Sequence, residues 1–250
     1  MDTNSNQARR VVIGITAHVD AGKTTLAEAM LYRTGQLRKL GRVDHGSAAM
    51  DSHLLERERG ITIFSSQAEL PIGDLEVTLL DTPGHVDFSA EMERTLSVLD
   101  YAILVISGAD GVQAHTRTLW RLLELYRIPT FLFVTKMDFG RCGRGQMMEH
   151  LHHELGEGCV DFTPADRERR MEQLATCRED ALEAYLDGGE VPDALVRQLV
   201  GRRLVFPCWF GSGLKLEGID EFLEGLARYV EPPAYPAAFS ARVFKISHDP

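Results

Sequence analysis

Residues 11–24 constrain this chain more than any other stretch. A β-branched apolar run, VVIGIT, leads at once into AHVDAGKT and then into TTLAEAMLYRTG, where Leu26, Met30 and Leu31 recur at helical spacing and Gly35 is placed to end the helix. Strand, glycine-containing loop and helix in immediate succession make a phosphate-loop pattern, with Ala17 in place of the usual leading glycine. In such a loop the main-chain N–H groups across Ala17, His18, Val19, Asp20, Ala21 and Gly22, together with the helix N-terminus, form a positive nest for phosphate oxygens. Lys23 would reach the β- and γ-phosphates, Thr24 would set its hydroxyl on Mg²⁺, and Thr25 completes the segment. A Gly-Lys-Thr turn at an ordinary helix start has the same letters. The flanking strand and helix favour the phosphate reading.

The rest of the chain alternates in the same way. SQAELPI and EVTLL flank Gly73-Asp74 as a hairpin, and the second strand runs into Asp81. A helical segment at about 86–99, the buried-strand pattern YAILVIS, a helix around 115–126 and the strand TFLFVT follow. Residues 145–200 read as mostly helical and charged; LVFPCWF is a last strand and IDEFLEGLARYV a last helix. Strands apolar on both faces, separated by helices, predict an α/β fold of three layers with a mainly parallel sheet and one antiparallel edge strand. Pro232, Pro233 and Pro236 mark a linker, beyond which AFSARVFKISHDP reads as a strand with nothing left to pair it. The expected organisation is a tail over 1–9, a domain over 10–231 with a helical insertion at about 141–203, and a linker with the first strand of a truncated domain over 232–250. A C-terminal tail is the plainer alternative for the last part.

Composition excludes several classes. At 44% hydrophobic and 26% charged the chain can bury a sizeable core. No apolar run approaches the roughly 18 residues needed to span a bilayer, and MDTNSNQARR lacks the apolar region of a secretory signal. Cys142, Cys159, Cys177 and Cys208 have no metal-ligand spacing and read as reduced thiols of a cytosolic protein. A formal net charge of -10 rules out adhesion to nucleic acid over the whole surface.

Three further motifs follow the phosphate loop in order. Asp81-Thr82-Pro83-Gly84-His85 comes straight after a strand, where a carboxylate acting on Mg²⁺ must sit, and Gly84 can offer its N–H to a γ-phosphate because no Cβ obstructs the approach. Thr135-Lys136-Met137-Asp138 ends an apolar strand. A carboxylate there accepts from guanine N1–H and the 2-amino group, donors that adenine lacks, and the Lys136 stem can lie along the base. Thr135 stands where the common pattern has Asn, so guanine selectivity is expected to survive and nucleotide affinity to fall somewhat. Gly211-Ser212-Gly213, after the last strand, would supply an N–H to the guanine carbonyl. At the end of a charged, glycine-rich stretch over 37–62, in Arg57-Glu58-Arg59-Gly60-Ile61-Thr62-Ile63, Thr62 can give its hydroxyl to Mg²⁺ and its N–H to the γ-phosphate, ordering the loop when GTP is bound.

Taken together, AHVDAGKTT, RGITI, DTPGH, TKMD and GSG resemble the five G motifs of the translational GTPases, RGITI and DTPGH being the specific pair. The likeness covers roughly 10–230, leans toward the elongation factor G branch, and is greatest to the tetracycline-resistance ribosomal protection proteins. It implies a P-loop GTPase fold, with FSARVFKI as the opening strand of a following β-barrel. By position, His85 would orient the attacking water, Val19 and Ile61 would form an apolar gate over it, and Asp20 is a candidate to help hold a monovalent cation or the phosphate loop. On residue type alone, His85 could equally be a surface histidine.

The resemblance further implies hydrolysis of GTP to GDP in the cytoplasm, by a chain expected to be monomeric and slow until a partner stimulates it, since no residue reads as an arginine finger in cis. That partner would be the ribosome, through ribosomal RNA and stalk proteins. Arg33, Arg38, Lys39, Arg42, Arg57 and Arg59 are the basic cluster that could meet RNA phosphate; Asp44, Asp51, Glu56 and Glu58 interrupt it, and a solvated surface accounts for it equally well. Ordinary translocation and a nucleotide-gated binding module with vestigial hydrolysis are the other two functions this pattern admits.

Overall fold

The computed structural model describes residues 9–38, 66–82, 89–139, 142–164, 167–234, 241 and 243. Among the described residues seven strands form one sheet: β1 Arg9–Ala17, β2 Ser66–Ile72, β3 Leu75–Asp81, β4 Tyr101–Ser107, β5 Thr130–Thr135, β6 Cys159–Asp161 and β7 Phe206–Phe210. Their order is β2-β3-β1-β4-β5-β7-β6. All neighbours are parallel except β2 and β3, which pair antiparallel through the Gly73-Asp74 turn.

Side-chain alternation along the central strands builds two cores. Ile103 and Val105 of β4 and Phe131 and Phe133 of β5 face one side, with α1 (Lys23–Arg33). Ala102, Leu104, Ile106, Leu132 and Val134 face the other, with α2 (Ser89–Leu96), α3 (Ala114–Leu125) and α4 (Arg144–Leu155). Both faces being covered, all seven β4 residues are buried, which is why the strand reads as an unbroken apolar run. α5 (Arg167–Ala175), α6 (Glu179–Gly188), α7 (Asp193–Gly201) and α8 (Ile219–Tyr229) extend the first layer. Ile219, Phe222, Leu223, Leu226 and Tyr229 of α8 are buried at helical spacing, and Arg33 reaches Asp220 at 3.1 Å to join α1 to α8.

The stretch expected to be mostly helical also contains β6, which adds to the far edge of the sheet beside β7. Three residues are too few to show a period of two. Apart from Ala241 and Val243, the strand expected over 238–250 lies outside the described residues, as does most of the loop at 37–62.

β1 lies between β3 and β4, so the chain leaving its carboxyl end emerges where the strand order reverses, the usual place for a ligand crevice in such sheets.

Candidate functional site

The loop after β1 is shaped by two left-handed residues, Asp20 (φ 61°) and Gly22 (φ 93°). Gly22 heads α1, its carbonyl accepting from Leu26 N–H at 2.9 Å. A side chain at Gly22 would be strained at this φ and would point at Thr135, 3.5 Å away. The loop is braced from β5. The Thr135 hydroxyl donates to the Ala21 carbonyl at 2.5 Å, with the Ile106 carbonyl 3.2 Å away. The Lys136 ammonium donates to the Asp20 carbonyl at 2.6 Å. The tie expected of Asn is therefore made by the Thr135 hydroxyl, and Lys136 adds a second. Asp20 contributes its carbonyl to this brace while the residue itself stays exposed.

Asp81, at the carboxyl end of β3, is fully buried, and its Oδ1 meets the Lys23 ammonium, itself 9% exposed. The lysine of one motif and the acid of another, 58 residues apart, converge in one buried pair. Thr82 is also fully buried; its N–H and hydroxyl both donate to the Ile15 carbonyl, at 3.1 and 2.8 Å, carrying the β1–β3 pairing past the strand end. Thr24 and Thr25 are half-buried in the first turn of α1.

The donor set suits Mg²⁺: the Asp81 carboxylate and the hydroxyl of Thr24, next in the chain to Lys23, are hard oxygen ligands. Thr62, the third ligand expected from the sequence, lies outside the described residues, and water and phosphate oxygen usually fill the rest of a Mg²⁺ shell.

Asp138 lies in a 3₁₀ turn, Met137–Phe139. Its side chain is 11% exposed, Oδ2 stands 3.2 Å from the Lys215 ammonium, and Oδ1 is buried with no hydrogen-bond partner. Burial raises its pKa, but hydrogen bonds from Lys215 and its own backbone, the Lys215 charge and a Ser212 hydrogen bond outweigh that and hold the carboxyl below the usual range. It is an ionised acceptor with one free, desolvated oxygen. Opposite it, Gly211 N–H donates to Val134 O at 2.9 Å and Ser212 N–H to Glu217 O at 3.0 Å. Two of the three residues expected to supply an N–H to a guanine carbonyl thus use their amides in backbone pairing. A Cβ on Gly213 would stand 3.2 Å from Thr25 O and 3.3 Å from Leu26 N, so the missing side chain lets this loop close on α1.

The structure thus brings together Ala17–Thr25, Asp81, Thr82, Thr135–Asp138 and Gly211–Gly213. Thr62, Pro83, Gly84 and His85, with Ile61 and most of the basic cluster, lie outside the described residues. Motif reading missed Lys215, because no fixed spacing marks a lysine two residues past GSG. It also missed His115, whose ring lies 6.0 Å from that of His18.

Comparison with known proteins adds the following. The family described as the elongation factor Tu GTP-binding domain matches residues 8–232. The oxytetracycline resistance protein of Streptomyces rimosus is 40% identical over 94% of this chain and 39% of its own length. Tetracycline resistance proteins TetM of Ureaplasma urealyticum and TetO of Campylobacter jejuni are 36% and 34% identical, each over 94% of this chain and 40% of the relative. A crystal structure from Thermus thermophilus superposes with a TM-score of 0.80 at 27% identity, covering 90% of this chain and 41% of that one. The chain therefore spans about two fifths of the length of these relatives.

Proposed function

The chain belongs to the elongation factor Tu GTP-binding domain family, and from that premise we propose that it binds GTP across the carboxyl ends of β1, β3, β5 and β7 and hydrolyses it for a ribosome-acting protein of the tetracycline-protection kind. The observation that carries the reading is Asp138, with an ionised carboxylate and one buried oxygen lacking a donor. A guanine base presents N1–H and a 2-amino group to such an acceptor. Adenine presents neither, and would leave the buried Oδ1 without a donor.

Chemistry at the other end is mostly electrostatic. Lys23, seated on Asp81, is within the loop that cradles the phosphates, and its ammonium would turn to the transferring phosphoryl oxygens. Asp81 and Thr24 would hold Mg²⁺, which when bound offsets charge on the β- and γ-phosphates. His85 would orient the attacking water, Val19 and Ile61 would keep bulk water away, and Thr62 would close over the γ-phosphate. Gly84 would sense that phosphate through its N–H. Asp20 stays a candidate to help hold a monovalent cation. Stimulation by the ribosome, the cytoplasmic setting and drug protection belong to the whole protein, and similarity to the resistance proteins supports them.

The test of the base contact is Asp138→Asn in a competition between GTP and ATP. The variant is expected to lose its preference for GTP; a preference that survives would sink the contact. For the hydrolytic role, His85→Ala is expected to keep nucleotide binding and lose ribosome-stimulated turnover of the full-length protein. Equal collapse of binding and turnover would remove His85 from that role. Unchanged tetracycline sensitivity of a host expressing the full-length gene would contradict drug protection and leave translocation as the better reading.

A further inference from the structure

The base end of the site contains a charge that the motif pattern does not include. Lys215 sits in the turn between Ser212 and Glu217, a turn closed by reciprocal backbone hydrogen bonds of 3.0 Å between those two residues. Its own N–H lies 3.4 Å from Ser212 Oγ. The side chain is 53% exposed, yet its ammonium returns to the far less exposed Asp138 and takes Oδ2 at 3.2 Å, while Oδ1 of the same carboxylate is buried without a donor. One oxygen is tethered and the other is open.

We propose that Lys215 is a positioning residue for base selection: by holding Oδ2 it sets the plane of the Asp138 carboxylate so that the two guanine donors meet it edge-on. The inference rests on the nucleotide-binding reading and deepens it. An aspartate carboxylate rotates broadly about its last torsion, whereas N1–H and the 2-amino group of guanine are fixed in one plane. A carboxylate anchored beforehand loses less freedom on binding than one that must be ordered by the base. Charge favours the same arrangement. Guanine brings only neutral donors, so a half-buried carboxylate facing it needs a countercharge from the protein, and Lys215 supplies one beside the hydrogen bonds of Ser212 and of the Asp138 backbone. The opposite geometry is a lysine that occupies the base position and must be displaced, and it predicts the opposite sign of effect.

The experiment is a fluorescence titration of the 250-residue chain with GDP and with inosine diphosphate, which keeps N1–H but lacks the 2-amino group. It compares the natural chain with Lys215→Met and Lys215→Arg, each first checked for an unchanged melting temperature. Lys215→Met is expected to weaken GDP binding by about tenfold, the scale of one hydrogen bond to a charged group. It should weaken inosine diphosphate less, so that the ratio between the two falls, and Lys215→Arg should restore that ratio. Unchanged GDP affinity in Lys215→Met overturns the role, as does tighter binding, which would make the lysine a competitor. Equal loss for both nucleotides also overturns it, because the loop as a whole would then have moved. If the natural chain fails to bind GDP, the nucleotide reading itself falls, and the Lys215 role with it.

Discussion

At the scale of single residues, Thr135 shows how a departure from a common motif can be absorbed. Its hydroxyl is buried between the Ala21 and Ile106 carbonyls, so one short side chain ties the end of β5 to the phosphate loop. Thr135→Val keeps the volume and removes the donor, leaving the Ala21 carbonyl buried without that partner. The expected cost is about 1–3 kcal/mol of stability in a denaturant titration, with weaker nucleotide binding because the loop loses a brace. A variant as stable as the natural chain would show that the Lys136–Asp20 tie suffices. Sequence alone marked Thr135 as unusual but not as sufficient: whether one hydroxyl can reach a carbonyl 114 residues away depends on the register of β5 against β4 and on the left-handed turn at Gly22. Asp138 was legible in its placement, a carboxylate just past the end of an apolar strand. Lys215 was not, because its significance exists only once its turn folds back over Asp138.

At the scale of elements, the helices behind β4 and β5 are joined by a pair that responds to acid. Arg117 of α3 reaches Glu154 of α4 at 2.5 Å, and the hydrogen bond from Arg117 holds the Glu154 carboxyl down to about 2 from an ordinary 4.5. A depressed carboxyl contributes stability that is present above its ordinary value and lost as pH falls through the depressed one. The difference in melting temperature between the natural chain and Arg117→Leu should therefore be constant above pH 4.5 and shrink from there toward pH 2. A difference that persists at the acid end would assign the effect of Arg117 to packing of its stem instead. Periodicity revealed the helices and long strands because each spans several repeats of its pattern: β4 and β5 read as runs buried on both faces, and α8 as a stripe at helical spacing. β6 escaped because three residues carry no repeat, and pairing with β7, over 40 residues later, creates it.

At the scale of the whole molecule, the sheet gathers past the carboxyl ends of its strands groups that the sequence scatters over some 200 positions. The carboxyl ends of β1, β3, β5 and β7 supply the phosphate loop, Asp81, Asp138 and the Gly211–Gly213 turn, and each motif was readable because it follows directly on a strand. Burial sorts the thiols on the same scale. Cys159 and Cys208 are fully enclosed and burial pushes the Cys208 thiol well up, whereas Cys142 and Cys177 are partly exposed. A thiol reagent applied to the native chain should leave Cys159 and Cys208 unmodified until denaturant is added; their rapid labelling would mean that the β6–β7 edge opens readily. The central claim is that one crevice grips a triphosphate at one end and checks for guanine at the other. Isothermal titration calorimetry of the chain with Mg²⁺, against GTP and then ATP, tests it most directly. The account predicts one saturable site for GTP and roughly ten-thousandfold weaker binding of ATP, the scale of discrimination that a buried hydrogen-bonding site provides. No heat of binding with GTP, or equal affinity for the two nucleotides, would contradict it.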